Sequence, residues 1–471
     1  MEKSTVVAVT LVSYQLLLIM IGVWASSRTK TDEDFFLGGR GLGPVVAAIS
    51  YSASASSAWT LLGVSGAAYL LGISVVWIAA GSFTGMLVAW FWIAPRLFGH
   101  SRRKNQITLT DFLLEGTQGT MRRWIVSAAS AIIIFSFIFY VAAQFQGAGG
   151  AFASSFGFSM NGSIALGAAI VLVYILLGGF WAVSVTDVAQ GGLMGLAAVL
   201  LPWVAVSEVG GITQFISGLQ QTSTPEQLSW TAGNAGLVAV GLILGGLSIG
   251  FGTYGQPHLL VRFMALRDAK ALGQARVITI AWYLLVFGGM CLLGLVGRVL
   301  HPSLDNPENI LFALTDSVFT PLLGAVLVTA VLSAIMSTAD SQLLVAASAV
   351  SHDLGLGRVH AQHGLLISRL TIAGLVVLAV VVAIYLPERI FSRVLFAWTA
   401  LGAAFGPTVF LRLTGFRLRP GGILASVLAG FTLAVVFYLL PNTPGDALER
   451  LGPFCVSFGV LWLYRGERFT T

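Results

Sequence analysis

Charged side chains are what this chain has least of. Asp, Glu, Lys and Arg make up 9% of its 471 residues while 56% are apolar, where an average soluble domain carries about 25% charge. That excludes a chain with a solvated surface all round. Cysteine is nearly absent: Cys291 and Cys455 both fall inside apolar runs, where a free thiol behaves as a small hydrophobe, so neither a disulfide framework nor a thiolate metal cluster is indicated. The six histidines are scattered, and the loop trio His352, His360 and His363 lacks the spacing of a closed metal site. No phosphate-binding glycine loop followed by Lys and no HExxH is present, so no catalytic residue is assigned, and an ATP-driven pump or a membrane-embedded enzyme is disfavoured.

What the chain has instead is long hydrophobic runs. Runs able to cross a bilayer, at about 20 residues each, lie at 5–25, 44–70, 74–97, 124–153, 161–180, 185–207, 234–262, 274–300, 319–350, 366–386, 390–412, 420–440 and 449–464. The first is followed by Arg28 and Lys30 with no small-residue cleavage site, and reads as a retained helix. Basic residues should concentrate in alternate loops. With the N-terminus outside and the C-terminus inside, the segments 26–43, 96–123, 262–276, 352–369, 412–420 and 465–471 hold 20 of the 25 Lys and Arg residues. The net charge of +6 is thus what cytosolic loops need for insertion, and no nucleic-acid partner is implied. Loop 98–122, with Leu109, Phe112 and Leu113, reads as an amphipathic helix on the membrane surface. Loop 208–233 reads as ordinary and solvated.

Three spans are irregular. Residues 50–58, Ser-Tyr-Ser-Ala-Ser-Ala-Ser-Ser-Ala, and residues 245–257, rich in glycine and closed by Gln256-Pro257, weaken their helices. Freed carbonyls are tolerated at membrane depth only where they line a cavity or bind an ion. The two spans stand five apart, which suggests that helices 2–6 and 7–11 are inverted repeats, each opening with a broken helix. Close helix packing by small residues is the alternative reading of both. The third segment, 333–343, adds a carboxylate that packing does not explain: Ala334, Ser337, Thr338 and Ser341 recur at i, i+3, i+4 and i+7 on one helical face, with Asp340 beside them. An intramembrane carboxylate marks an ion or substrate path, and grouped oxygens suit a hard alkali cation better than zinc or copper.

Other residues invite two readings. Asp187 starts span 185–207, where it caps a helix or faces an inner cavity together with Asp340. Asp340 has no evident basic partner within the spans, so a cation is its natural counter-charge. Tyr140, Gln144 and Gln146 offer polar groups either to a solute or to neighbouring helices. His258 and Arg262 read as snorkelling anchors at a helix end, and Trp59 as a packing residue.

The motifs resemble those of the sodium:solute symporter family, most closely its sodium/proline branch. They are Asp34 to Arg40, Gly178 to Phe180 continuing to Thr186, Asp187 and Gln190, Gly255 to His258 followed by Arg262 to Ala265, and Met336 to Thr338 continuing to Gln342 and Leu343. The resemblance implies an all-α membrane protein of about thirteen transmembrane helices with a five-plus-five inverted-repeat core of the leucine-transporter type. It divides the chain into a first helix and loop (1–43), two five-helix repeats (44–208 and 209–412) and two final helices (413–471). It implies a sodium site from the carbonyls of Ala53, Ser56 and Ala334 with the hydroxyls of Ser337 and Thr338, and a second cation site from Asp187, Asp340 and Ser341. Ser57, Tyr140, Gln144, Ile249, Thr253, Gln256 and Pro257 are the expected solute contacts. Ala55, Ile249 and Thr253 stand where the proline branch has aspartate, tryptophan and tyrosine, which implies a more open pocket. The expected activity is sodium-driven import of a small amino acid such as proline, or a related zwitterion or carboxylate, across the cytoplasmic membrane, with sodium, solute and lipid as partners. The rivals are proton coupling through Asp340 and a sensor that binds solute without transport; the chain ends soon after its last helix, with no signalling domain appended.

Overall fold

A computed structural model describes residues 3–26, 37–176, 179–355, 364–386, 388–441 and 443–468. Asp34, Phe35, Phe36, Gly178, His360 and His363 lie outside them. With no water at membrane depth, backbone groups must bond within the segment, and the chain is accordingly helical wherever it is apolar. Among the described residues ten helical stretches are long and apolar enough to cross a membrane, and two shorter apolar helices, Pro44–Ala55 and Met160–Val173, accompany them.

Burial orders these helices. The most apolar windows of Pro321–Asp353 and Ile390–Leu413 are 83% and 89% buried, whereas those of Ser4–Trp24, Leu366–Tyr385 and Pro420–Leu439 are 33% buried or less. The first pair forms the centre and the others sit at the rim. Glycines set the closest central contact. A Cβ on Gly252 would lie 1.9 Å from the Trp398 ring, and one on Gly255 would lie 2.2 Å from the Leu401 carbonyl, so the helix Gly236–Gly252 and the turn after it rest directly on Ile390–Leu413.

Several expectations are corrected. Helix Phe180–Glu208 begins five residues before the expected span, so Asp187 lies two turns inside it and caps nothing. Loop 208–233 contains a helix, Ile212–Thr222. In loop 98–122 the side chains of Leu109, Phe112 and Leu113 are buried against protein rather than laid on a membrane; Thr108 and Asp111 close a capping box at the start of that short helix. An antiparallel ribbon of Phe416–Leu418 with Arg465–Arg468 ties together the ends of the last helices, which hydropathy does not foretell.

Candidate functional site

Helix Pro44–Ala55 stops at Ser56, whose φ of −106° and ψ of 63° leave the helical region, and winding resumes at Ala58 and Trp59. The amide groups that restart the helix are capped: Gln144 Oε1 accepts from Ala58 N at 2.9 Å and Ser57 Oγ from Trp59 N at 3.1 Å. The carbonyls that end the first half turn to the helix Pro321–Ser348. Ser337 Oγ lies 3.2 Å from both the Ala53 and the Ala334 carbonyl oxygens, and Thr338 Oγ1 donates to the Ser54 carbonyl at 3.1 Å. The structure thus brings Ala53, Ala334, Ser337 and Thr338 together at the break, all fully buried. Their donors are neutral oxygens, which fits a monovalent ion as co-substrate better than a resident divalent metal.

The second break spans Thr253 to Gln256. Pro257 forces the residue before it out of the helical region, and Gln256 takes φ −79° and ψ 106°. Gln256 Nε2 then donates to the carbonyls of Gly252 and Trp398, and Trp398 Nε1 donates to the Ile249 carbonyl at 3.0 Å.

Between the breaks lies a small cavity of about 20 Å³. Tyr51, Ala55 and Trp59 bound it on the side of the first break, and Ile249, Thr253 and Leu259 on the side of the second. Tyr140, Tyr283 and Trp398 close it, with Ser82, Met86, Val394 and Leu395 between them. No Asp, Glu, Lys or Arg lines it. Of the seven expected solute contacts, Tyr140, Ile249 and Thr253 reach this cavity, while Ser57, Gln144, Gln256 and Pro257 stand behind its wall. Ser57 Oγ approaches the Tyr140 hydroxyl at 3.4 Å, and the two glutamines hold the breaks. Gln146 turns away, to the Glu388 carbonyl and Arg393.

Trp59 is not merely packing. It lines the cavity and stacks on Phe391 at 5.7 Å between ring centroids, and Phe391 borders a second cavity of about 390 Å³ that also touches Glu308, Arg389 and Arg450. Glu308 accepts from the backbone amides of Phe391 and Ile390 at 2.8 and 3.0 Å. Burial raises its carboxyl above the usual range, and those two amides pull it back. Tyr51, Tyr283 and Trp398 were missed in the sequence. Tyr51 had a signal there, since it precedes Ala55 by one turn on the same face; the other two come from distant helices and carry none.

Arg262 and His258 are corrected most sharply, being 1% and 0% exposed, not anchors at an interface. Arg262 pairs with Asp187 at 3.1 Å and reaches the hydroxyls of Ser50, Ser54 and Ser341. Asp340, bonded to the Ser341 hydroxyl, feels the charges of both Asp187 and Arg262. The carboxylates therefore have an internal basic partner after all.

The sequence model of the sodium:solute symporter family matches residues 35–430. The chain belongs to this family. It is 35% identical over 443 residues to the osmoregulated proline transporter OpuE of Bacillus subtilis, covering 92% of this chain and 89% of that one. It is 34% identical over 450 residues to the sodium/proline symporter of Escherichia coli, covering 93% and 88%. In fold it is similar to a sodium-coupled sialic acid symporter in a substrate-bound outward-open state, with a TM-score of 0.80, 17% identity and 97% of both chains covered. It is also similar to MhsT in complex with L-phenylalanine, at a TM-score of 0.55 and 16% identity, with 90% and 98% covered. As a member of the family the chain is an integral membrane protein that moves a solute with sodium as the coupling ion.

Proposed function

We propose that this symporter imports L-proline or a closely related small zwitterion, and that one sodium ion held by Ala53, Ser56, Ala334, Ser337 and Thr338 joins the first broken helix to Pro321–Ser348. The observation that carries the reading is the Ser337 hydroxyl shared at 3.2 Å by the Ala53 and Ala334 carbonyls, one turn from a cavity that the same broken helix walls. An ion there pins the break, and the cavity forms against it. The absence of a full charge among the lining residues suits a solute of zero net charge, and the tyrosine and tryptophan rings suit a compact apolar ring. The identities to proline transporters support the solute class.

The architecture proposed with this function has thirteen spans, the N-terminus outside and helices 2–6 and 7–11 as inverted repeats. Its support is a helix at each expected span and breaks that open both proposed halves. Alternating access follows by rocking one repeat bundle against the other. The test is uptake of radiolabelled L-proline into proteoliposomes. An inward sodium gradient should drive accumulation, and a proton gradient without sodium should not. Accumulation under the proton gradient alone would move the coupling to Asp340, and failure to accumulate proline while other zwitterions enter would correct the solute.

A further inference from the structure

Five oxygens converge on the buried guanidinium of Arg262. Ser50 Oγ lies 2.8 Å from Nε; Ser341 Oγ, Ser54 Oγ and Asp187 Oδ2 lie 2.6, 2.7 and 3.1 Å from Nη2, and the His258 carbonyl accepts from Nη1. They come from helices Pro44–Ala55, Phe180–Glu208, Pro321–Ser348 and Pro257–Ala265. A shell of hydroxyls, one carbonyl and one carboxylate is what an alkali ion would collect at membrane depth. Here a cation tied to the chain already fills it.

This shell touches the proposed sodium cradle through two residues, Ser54 and Ser341; the Ser341 hydroxyl donates to the Ser337 carbonyl at 2.9 Å. Ser54 accepts from Thr338 on its carbonyl and donates from its hydroxyl to the Ser337 carbonyl, while the same hydroxyl meets Arg262. Charge is then shared between the two. With both carboxylates ionised, Asp187 and Asp340 bring two negative charges and Arg262 one positive, and the cradle's own oxygens are neutral. A single sodium ion closes the balance, and a second would leave it in excess.

We propose that Arg262 is a built-in cation that fills a second alkali-ion position and so limits this symporter to one sodium ion per cycle. The proposal rests on the sodium reading of Ala53, Ser337 and Thr338. Losing the guanidinium leaves an oxygen shell of net negative charge, which sodium can enter.

Binding of radiolabelled sodium to the purified full chain, at ionic strength held constant with choline, tests this without any solute. The wild type should saturate at one ion per chain, Arg262→Gln at two with a steeper isotherm, and Arg262→Gln combined with Asp187→Asn at one again. Arg262→Lys keeps the charge and should stay at one, which guards against a misfolded glutamine variant. Two ions in the wild type or in Arg262→Lys, or a folded Arg262→Gln that binds no more ions than the wild type's one, would overturn the proposal. No sodium bound by the wild type would sink the cradle reading by itself, and a single ion gained on Arg262→Gln would then still support a tethered cation. No binding in any variant would sink both.

Discussion

The two broken helices interrupt the same kind of apolar span by different means. At Ser56 there is neither glycine nor proline; the helix ends where hydroxyls on Pro321–Ser348 offer its carbonyls partners, and Gln144 catches the amide beyond the gap. At Thr253 to Gln256 proline and glycine do the breaking, and the freed carbonyls of Ile249 and Gly252 are taken by Trp398 and Gln256. The first break meets its neighbour through hydroxyl side chains, which in the proposed function turn their oxygens to an ion. The second gives its oxygens to the N–H groups of Trp398 and Gln256, and presents side chains to the cavity. One is built to coordinate and the other to shape a wall, so substitutions should separate sodium dependence from solute affinity.

The largest effect belongs to the wall. Gly252→Ala puts a methyl carbon 1.9 Å from the Trp398 ring, with no room to yield because Trp398 also holds the Ile249 carbonyl. Overpacking of this kind costs about 3 kcal/mol. Solute affinity should fall on the order of a hundredfold or more, while sodium binding to the purified protein stays within about twofold of wild type. Equal loss of both would show that the two breaks act as one unit.

Next is Thr338→Ala, which removes a hydroxyl from the cradle and frees the Ser54 carbonyl. An unmet buried acceptor costs about 1–3 kcal/mol, so the sodium concentration for half-maximal uptake should rise roughly tenfold or more, with maximal uptake at saturating sodium largely kept. An unchanged sodium dependence would remove this residue from the cradle and weaken the contrast between the breaks.

Much of this division was legible in the chain. Four hydroxyl and small residues at helical spacing around Asp340 marked the face that meets the first break, and Gln256-Pro257 marked the second. What was not legible depended on contacts between distant segments. Arg262 sat at the end of its predicted span, and nothing local distinguishes a snorkelling arginine from one turned inward to Asp187, 75 residues away. Likewise Gln144 was read as a solute ligand because an amide at that depth suits a solute as well as a helix end. Trp398 and Tyr283 had no signal, since apolar helices are rich in aromatics and only packing decides which ring faces a cavity.

A smaller effect is expected from Gln144→Leu, which leaves the Ala58 amide without its acceptor. An unmet buried donor costs about 1–3 kcal/mol, and here the cost falls on the restart of the first broken helix and is shared by both sites. Sodium and solute affinities should therefore both weaken by roughly fivefold, unlike the separated effects above. A change in solute affinity alone would restore Gln144 to the solute pocket.

The smallest effect is read in pH and concerns what supports the second break from outside. Glu308 holds the first amides of Ile390–Leu413, the helix that carries Trp398. Its carboxyl is raised, chiefly by burial, against the pull of those amides. A carboxyl whose folded value exceeds its unfolded one favours the fold when protonated, so its contribution is complete below the ordinary carboxylate range and is lost as pH climbs through the raised value. The thermal midpoint of the wild type should accordingly drop slightly over that acidic interval, and Glu308→Gln, neutral throughout and still able to accept through its amide oxygen, should flatten the drop. If the slope persists in Glu308→Gln, another buried acid governs it, and the start of Ile390–Leu413 is held by packing rather than by this carboxylate.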